Sequence, residues 1–161
     1  MINCTFEDGG KADPGLRHVT VGAIAYNDKG QVLLVRRSAK FSRPNTWAIP
    51  GGFLDRDRTV KEAVLKELRE EAGMEGEIQE LFHVNDSPLR PKEDRQNVDF
   101  VYTVKVLEGS FQENEETTST GWFDKNSLPA EGEFAFDHRA VILKFFEYQE
   151  KPFSLPLLGA L

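Results

Sequence analysis

The sequence predicts an α/β sandwich, in which a β-sheet packs against helices. Short runs rich in β-branched and apolar residues alternate with two segments of helical spacing, one after the third strand and one near the end of the chain. The 161 residues and 39% hydrophobic content suit one domain with a substantial core. We therefore predict a single domain over residues 1–161, with an N-terminal extension at 1–16 and an apolar tail at 152–161.

Three strands are predicted in the first third of the chain. His18 to Tyr26 and Gln31 to Arg37 are rich in β-branched and apolar residues, and Asn27 to Gly30 between them is a turn sequence. These two strands should form a hairpin. A polar loop at 38–45 follows, and Trp47 to Ile49 is a short strand that leads into a glycine pair.

The rest of the chain predicts three further strands and a final helix. The strands fall at 77–84, 97–107 and 122–123, and the helix at 136–148. The apolar, proline-broken tail is predicted to lie on the surface or on a partner, and packing on a second copy is the argument for a homodimer.

Another helix is predicted between Thr59, as its N-cap, and Gly73, where it stops. At about 100° per residue, three glutamates share an arc of about 100° beside an apolar stripe. Carboxylates crowded together repel one another, and a bound divalent cation is the simplest way to remove that cost. The alternative is an amphipathic helix whose acids are simply solvated. The glutamates are Glu67, Glu70 and Glu71, and the stripe is Val60, Val64, Leu68 and Ala72.

Segment 51–74, which contains this helix, resembles a Nudix box, the signature of hydrolases that act on a nucleoside diphosphate linked to another group. The family's usual form is G-x5-E-x7-R-E-(apolar)-x-E-E-x-G-(apolar). The matching positions here are Gly52, Glu67, Leu68, Glu70, Glu71, Gly73 and Met74. Two positions depart from the pattern, because Arg58 stands at the place of the first glutamate and Lys66 at the place of the arginine.

The two departures bear on activity. In the family the arginine is thought to orient the neighbouring glutamates, and lysine lacks its planar, two-pronged donor geometry. Slower catalysis or an altered metal preference therefore follows from the resemblance. Asp55, Asp57 and Glu62 are the nearby acids that can neutralise Arg58 and Lys66, and the spacing of Glu62 and Lys66 suits a surface ion pair.

The resemblance also implies a fold, a metal and a set of site residues. It implies an α/β/α sandwich with a mixed β-sheet, the box helix on one face and the C-terminal helix on the other. It implies Mg²⁺, with Mn²⁺ as a substitute, and a general base that is Glu70, Glu67 or Glu116. Glu116 lies six residues before Trp122, at the family's spacing for one more carboxylate, although a solvated acidic loop explains it equally well and Glu113 and Glu115 are the fallback choices. The implied metal ligands are Gly51, Glu67, Glu70, Glu71 and Glu116.

Candidate substrate contacts lie outside the box. Arg37 ends the second strand, where related enzymes often place an arginine facing phosphate, and strand alternation sends Arg36 to the opposite face. Arg90 and Arg95 belong to a cationic loop that can either close over a diphosphate or remain a charged hairpin tip. Aromatic residues for base stacking are predicted at Phe41, Trp47 and Phe134, with the core as their alternative location.

Segment 134–138, Phe-Ala-Phe-Asp-His, resembles one that recurs before the last helix in Nudix members acting on ADP-ribose. His138 is the ligand contact that this resemblance implies. The same residues have a structural explanation, which we favour, in which Asp137 caps the helix and His138 lies in its first turn. The substrate is thus predicted to be ADP-ribose or a sugar nucleotide.

Two other functions remain open at this point: a pyrophosphatase that clears oxidised nucleoside triphosphates, and a non-catalytic nucleotide-ligand sensor whose support is Arg58 and Lys66. The net charge of −7 argues against binding of nucleic acid polymers or anionic membranes. A lone Cys4 excludes an internal disulfide and is expected to be an ordinary thiol, and no long apolar run lies near the N-terminus. We therefore expect a cytoplasmic enzyme with a small-molecule nucleotide substrate.

Overall fold

The computed structural model describes residues 16–90 and 96–161. The predictions for the extension, including Cys4, and for Arg95 lie outside the described residues. Within them, eight strands and two α-helices follow one another along the chain. They are β1 (Val19–Tyr26), β2 (Val32–Arg37), β3 (Trp47–Ala48), β4 (Gly51–Phe53), α1 (Val60–Ala72), β5 (Met74–Asn85), β6 (Val98–Gly109), β7 (Thr117–Phe123), α2 (His138–Glu150) and β8 (Leu157–Leu158).

The strands form one mixed sheet in the order β3-β2-β1-β6-β5-β8, with β4 paired to β1 and β7 paired to β2. The central pair β1 and β6 is parallel, whereas the β1–β2 and β5–β6 pairs are antiparallel. The predicted hairpin is confirmed, and so is the mixed sheet. None of the helices within the described ranges is long and apolar enough to cross a membrane.

Two apolar clusters, one on each face of the sheet, form the core. Strand alternation divides the buried residues, so that Val21 and Leu33 belong to the cluster containing Leu68 of α1, while Ile24 and Leu34 belong to the cluster containing residues of α2. The α2 residues of that second cluster are Val141, Ile142, Phe145 and Phe146. The predicted sandwich is therefore confirmed, with the box helix and the C-terminal helix on opposite faces.

Helix α1 begins and ends as its sequence predicts. Thr59 accepts a hydrogen bond from the Glu62 backbone N–H, while the Glu62 carboxylate accepts one from the Thr59 N–H at 2.8 Å, which completes a capping box. Gly73 ends the helix in the left-handed conformation, with φ of 67°. The predicted Glu62–Lys66 pair was wrong, because the cap engages the Glu62 carboxylate.

Three segments differ from the sequence prediction. Gly51 to Phe53, predicted as a loop, is strand β4, and the strand predicted at 122–123 begins at Thr117. The tail was predicted to lie on the surface or on a partner, but Leu157–Leu158 forms a parallel edge strand beside β5. Phe153 and Leu155 pack against the core on the α2 side. The chain itself therefore covers part of the tail's apolar surface, while Leu158 and Leu161 are exposed, and the homodimer stays a prediction.

Candidate active site

The glycine pair of β4 lies directly against the glutamates of α1. The Gly51 N–H donates a 2.8 Å hydrogen bond to Glu71 Oε2. A Cβ atom at position 52 would lie 2.7 Å from the Glu67 carboxyl group, which would have to move to make room for it. Strand β4 is held in place by pairing with β1, in which Gly52 faces Val21. The fold therefore brings two predicted metal ligands, Glu67 and Glu71, under the glycines.

Burial makes these carboxyl groups reluctant to ionise. Burial, together with the charges of Glu67 and Glu116, raises the pKa of Glu71 to about 8, against the Gly51 hydrogen bond and the Arg37 charge, which lower it. Burial also raises the pKa of Glu67, and the charges of Glu70 and Glu116 act in the same direction. A bound cation would favour the ionised form of both carboxyl groups.

Glu70 is the most accessible of the three box glutamates, with 59% of its side chain exposed. Its Oε2 lies 2.8 Å from the Lys66 ammonium, which is also 3.4 Å from Glu67 Oε1. The hydrogen bond to Glu70 is the main reason why the pKa of Lys66 lies above its usual value. Lys66 therefore takes the arginine's place in the box as a cation that touches both glutamates.

Glu116 lies beside the box although it is 45 residues from Glu71 in sequence. Its backbone is fixed just before β7, because its carbonyl accepts a 2.8 Å hydrogen bond from the Ser38 N–H and its N–H donates to Asn114 Oδ1 at 2.9 Å. The exposed carboxylate is close enough for its charge to raise the pKa of both Glu67 and Glu71.

The two arginines at the end of β2 lie in different surroundings. Arg37 is partly buried beside the box, donates through Nε to the Ser42 carbonyl at 2.8 Å, and lies 5.7 Å above the Phe136 ring. Burial lowers the pKa of its guanidinium, while the charges of Glu71 and Glu116 work to raise it. Arg36 is exposed and lies over Trp47 instead. Arg37 is therefore the arginine that faces the box.

A cleft opens between the glycines of β4 and the start of α2. Its lining combines aromatic rings with polar and charged groups, which suits a nucleotide. The lining residues are Thr20, Val21, Gly22, Arg37, Ser42, Ile49, Gly51, Gly52, Phe53, Arg90, Asn97, Asp99, Phe136 and His138. Of the aromatic residues predicted to stack on a base, Phe134 is instead buried in the core, and the rings of the cleft are Phe53 and Phe136.

Arg90 lines the cleft, but two buried carboxylates bind its guanidinium. It pairs with Asp137 at 2.7 Å and with Asp99 at 3.0 Å, and Asn85 Nδ2 also donates to Asp137 at 2.7 Å. Burial works to raise the pKa of Asp137, yet the hydrogen bonds and charge of Arg90 outweigh it, so that the pKa lies below its usual value. The network ties the loop after β5 and strand β6 to the start of α2.

The predicted capping role of Asp137 was wrong. Its backbone occupies the N-cap position of α2, but its side chain makes no capping hydrogen bond, because the carboxylate is directed to Arg90 and Asn85. Sequence reasoning also missed Asp99. Nothing in the sequence of β6 indicated the two partners of Asp99. Its carboxylate accepts a hydrogen bond from Thr20 at 2.9 Å and another from Arg90.

His138 is buried at the wall of the cleft, and its Nδ1 accepts a 3.2 Å hydrogen bond from the Ile49 N–H. Burial lowers the pKa of the imidazole to about 4, so the ring is neutral at physiological pH. Because Nδ1 accepts, the single proton lies on Nε2. His138 can therefore donate one hydrogen bond through Nε2.

The chemistry of the donor set fits a hard divalent cation, because Glu67, Glu70, Glu71 and Glu116 all offer carboxylate oxygens and the charges of Glu70 and Glu116 act on the buried glutamates. Across residues 16–90 and 96–161, however, no three Asp, Glu, His or Cys side chains already form a ready-made metal cluster. Lys66 binds the Glu70 carboxylate at 2.8 Å. Release from Lys66 would free this carboxylate for a metal ion, so the residue types present fit a divalent cation.

Comparison with known proteins agrees with this geometry. Residues 16–145 match the family model described as NUDIX domain. The chain belongs to the Nudix hydrolase family. An ADP-ribose pyrophosphatase of Methanocaldococcus jannaschii is 30% identical over 131 residues, which cover 81% of this chain and 74% of that protein.

Solved structures extend the likeness of this Nudix hydrolase to its whole fold. A UDP-X diphosphatase matches with a TM-score of 0.70 and 25% identity, covering 90% of this chain and 68% of that one. A NUDIX hydrolase from Nitrosomonas europaea matches with a TM-score of 0.79 and 22% identity, covering 99% and 86%. Nudix hydrolases generally use divalent metal ions.

Proposed function

We propose that this Nudix hydrolase cleaves the pyrophosphate bond of a nucleoside diphosphate linked to another group, with ADP-ribose or a sugar nucleotide as substrate. The observation that carries this proposal is the position of the cleft. Gly51 and Gly52, which lie against the carboxyl groups of Glu71 and Glu67, line it together with Arg37, Phe53 and Phe136. The ADP-ribose pyrophosphatase and the UDP-X diphosphatase to which the chain is similar support this substrate class.

Mg²⁺, or Mn²⁺ in its place, is the proposed cofactor. When bound, the ion would polarise the phosphate oxygens and lower the pKa of a bound water. The residues that would hold it are Gly51 through its carbonyl, Glu67, Glu70, Glu71 and Glu116. One carboxylate among Glu70, Glu67 and Glu116 takes the proton of the attacking water. Exposure favours Glu70 or Glu116 over Glu67, because Glu67 is buried beneath the glycines.

Arg37 and His138 are the proposed substrate contacts within the described cleft. Arg37 can pair with the diphosphate through the guanidinium nitrogens that do not bind Ser42. His138 offers the Nε2 proton to a hydrogen-bond acceptor of the substrate. Arg90, whose charge is neutralised by Asp99 and Asp137, is proposed to shape the cleft from its wall. Arg95 remains a proposed contact from the sequence alone.

A substrate panel tests this function. We expect Mg²⁺-dependent release of AMP and ribose 5-phosphate from ADP-ribose, or of the corresponding two monophosphates from a sugar nucleotide, with Glu70→Gln protein as the blank. Dinucleoside polyphosphates and nucleoside triphosphates complete the panel. Pyrophosphate released from a triphosphate would favour the oxidised-nucleotide function, and tight ADP-ribose binding without turnover would favour a sensor.

Arg37→Met is expected to raise KM for the preferred diphosphate substrate about tenfold, because a charge-assisted contact with phosphate contributes roughly 1.5–3 kcal/mol. Arg36→Met is the matched control, since Arg36 is the adjacent arginine and lies over Trp47 rather than beside the box. Steady-state kinetics on both variants measure the difference. Equal changes in KM for the two would count against a phosphate contact at Arg37.

A further inference from the structure

The two box positions that depart from the family pattern share one carboxylate. Asp55 Oδ2 lies 3.5 Å from Arg58 Nε and 3.6 Å from Lys66 Nζ. Asp57 approaches only Arg58, at 4.0 Å. Asp55 therefore supplies a negative charge to both cations where the usual pattern has a glutamate at position 58.

Lys66 occupies two glutamates that a divalent cation would also need. Its ammonium touches Glu70 at 2.8 Å and Glu67 at 3.4 Å, and both are proposed metal ligands. A divalent cation that binds these glutamates must take them from Lys66. With 23% of its side chain exposed, Lys66 is only partly solvated, so the ammonium requires another acceptor when it gives them up.

We propose that Asp55 is a positioning residue that receives the Lys66 ammonium, so that Glu67 and Glu70 are released to bind the divalent cation. This inference rests on the proposed function, because it assumes that the box glutamates bind a metal ion. It assigns the task of the missing glutamate to an aspartate three residues earlier in the chain. With Lys66 paired to Asp55, the box can bind a metal ion although it lacks the usual glutamate and arginine.

The test is a Mn²⁺ titration of the full-length protein without nucleotide, followed by the loss of the free-ion signal in electron paramagnetic resonance. Asp55→Asn is expected to weaken Mn²⁺ binding about fivefold, because Lys66 then remains on the glutamates. Asp57→Asn is the matched control, since it removes the same charge from the same loop without touching Lys66. We expect less than a twofold change for the control.

A double-mutant cycle separates positioning from a general charge effect. In a Lys66→Met background the competing ammonium is absent, so Asp55→Asn should change Mn²⁺ affinity by less than twofold. Asp55→Glu, which keeps the carboxylate, should retain binding close to that of the wild type. Thermal unfolding without metal is expected to be similar in all variants, because exposed ion pairs contribute little to stability.

The outcomes distinguish this inference from the proposed function. Equal weakening by Asp55→Asn and Asp57→Asn, or an undiminished effect of Asp55→Asn in the Lys66→Met background, would overturn the positioning role and leave the metal site intact. Failure of the wild-type protein to bind Mn²⁺ would overturn the metal site itself, and the positioning role with it.

Discussion

Glu70→Gln is expected to lower kcat for the preferred diphosphate substrate by about 10²–10⁴-fold. The side chain projects from the box helix with 59% of its surface exposed, so the replacement removes a charge at the site without opening a cavity. Glutamine has nearly the same shape but cannot accept the proton of the attacking water. Steady-state kinetics with saturating Mg²⁺ measure the loss, and circular dichroism checks that the fold is retained.

The Mn²⁺ affinity of the same variant identifies the role of Glu70. An unchanged affinity with a large loss of kcat indicates the general base, whereas a weakened affinity indicates a metal ligand. Glu67→Gln and Glu116→Gln are measured alongside. If Glu116→Gln lowers kcat more than Glu70→Gln at unchanged affinity, the base is Glu116.

Glu75→Gln is the matched control for this experiment. Glu75 is also about half exposed and also paired with a cation, but its partner is Arg69 and not Lys66 of the box. We expect its kcat to stay within twofold of the wild-type value. A comparable loss in both variants would mean that surface charge in general, and not Glu70, controls turnover.

Local signals in the sequence predicted the box helix well. The N-cap at Thr59 and the left-handed C-cap at Gly73 depend on hydrogen bonds between residues about four positions apart or fewer. The apolar stripe likewise follows from the helical spacing of neighbouring residues. The resemblance pointed to Glu116 because this residue lies six positions before Trp122. In the structure its charge raises the pKa of Glu67 and Glu71. The short-range pattern was therefore sufficient for the helix, while the role of Glu116 at the site stays a prediction.

Long-range pairing could not be predicted in the same way. Asp137 matched a capping pattern, yet Arg90 and Asn85, which are 47 and 52 residues away in sequence, attract its carboxylate. The tail looked unpaired because its partner strand β5 lies more than 70 residues earlier. In both cases a local propensity was overruled by a contact that exists only after the sheet has formed.

Glu71→Gln is expected to stabilise the metal-free protein at neutral to alkaline pH. Burial raises the pKa of Glu71 to about 8 from an ordinary value of 4.5, so the folded state holds a proton that the unfolded state has lost. Between these two pH values the folded protein binds more protons than the unfolded chain, and the free energy of unfolding therefore falls as the pH rises. Above about pH 8 this contribution becomes constant.

Glutamine removes the titration but can still accept the Gly51 N–H hydrogen bond through its amide oxygen. We therefore expect a gain on the order of 4 kcal/mol at pH 8, because each pKa unit corresponds to about 1.4 kcal/mol. Tm should rise by about 8–16 °C. Near pH 4.5 the two proteins should differ little. Thermal unfolding of both, in chelator and across this pH range, measures the difference.

With a divalent metal ion bound, the wild-type protein should be more stable than the Glu71→Gln variant. A bound cation favours the ionised carboxylate, so Mg²⁺ or Mn²⁺ is expected to stabilise wild-type protein more than the Glu71→Gln variant, and its binding should release a proton below pH 8. Glu75→Gln is the control, because Arg69 holds the pKa of that carboxyl below its usual value and no gain is expected from its removal. If Glu71→Gln is not more stable than the wild type at pH 8 without metal, the Glu71 carboxyl is ionised in the folded protein at little cost, and burial does not create the demand for a cation.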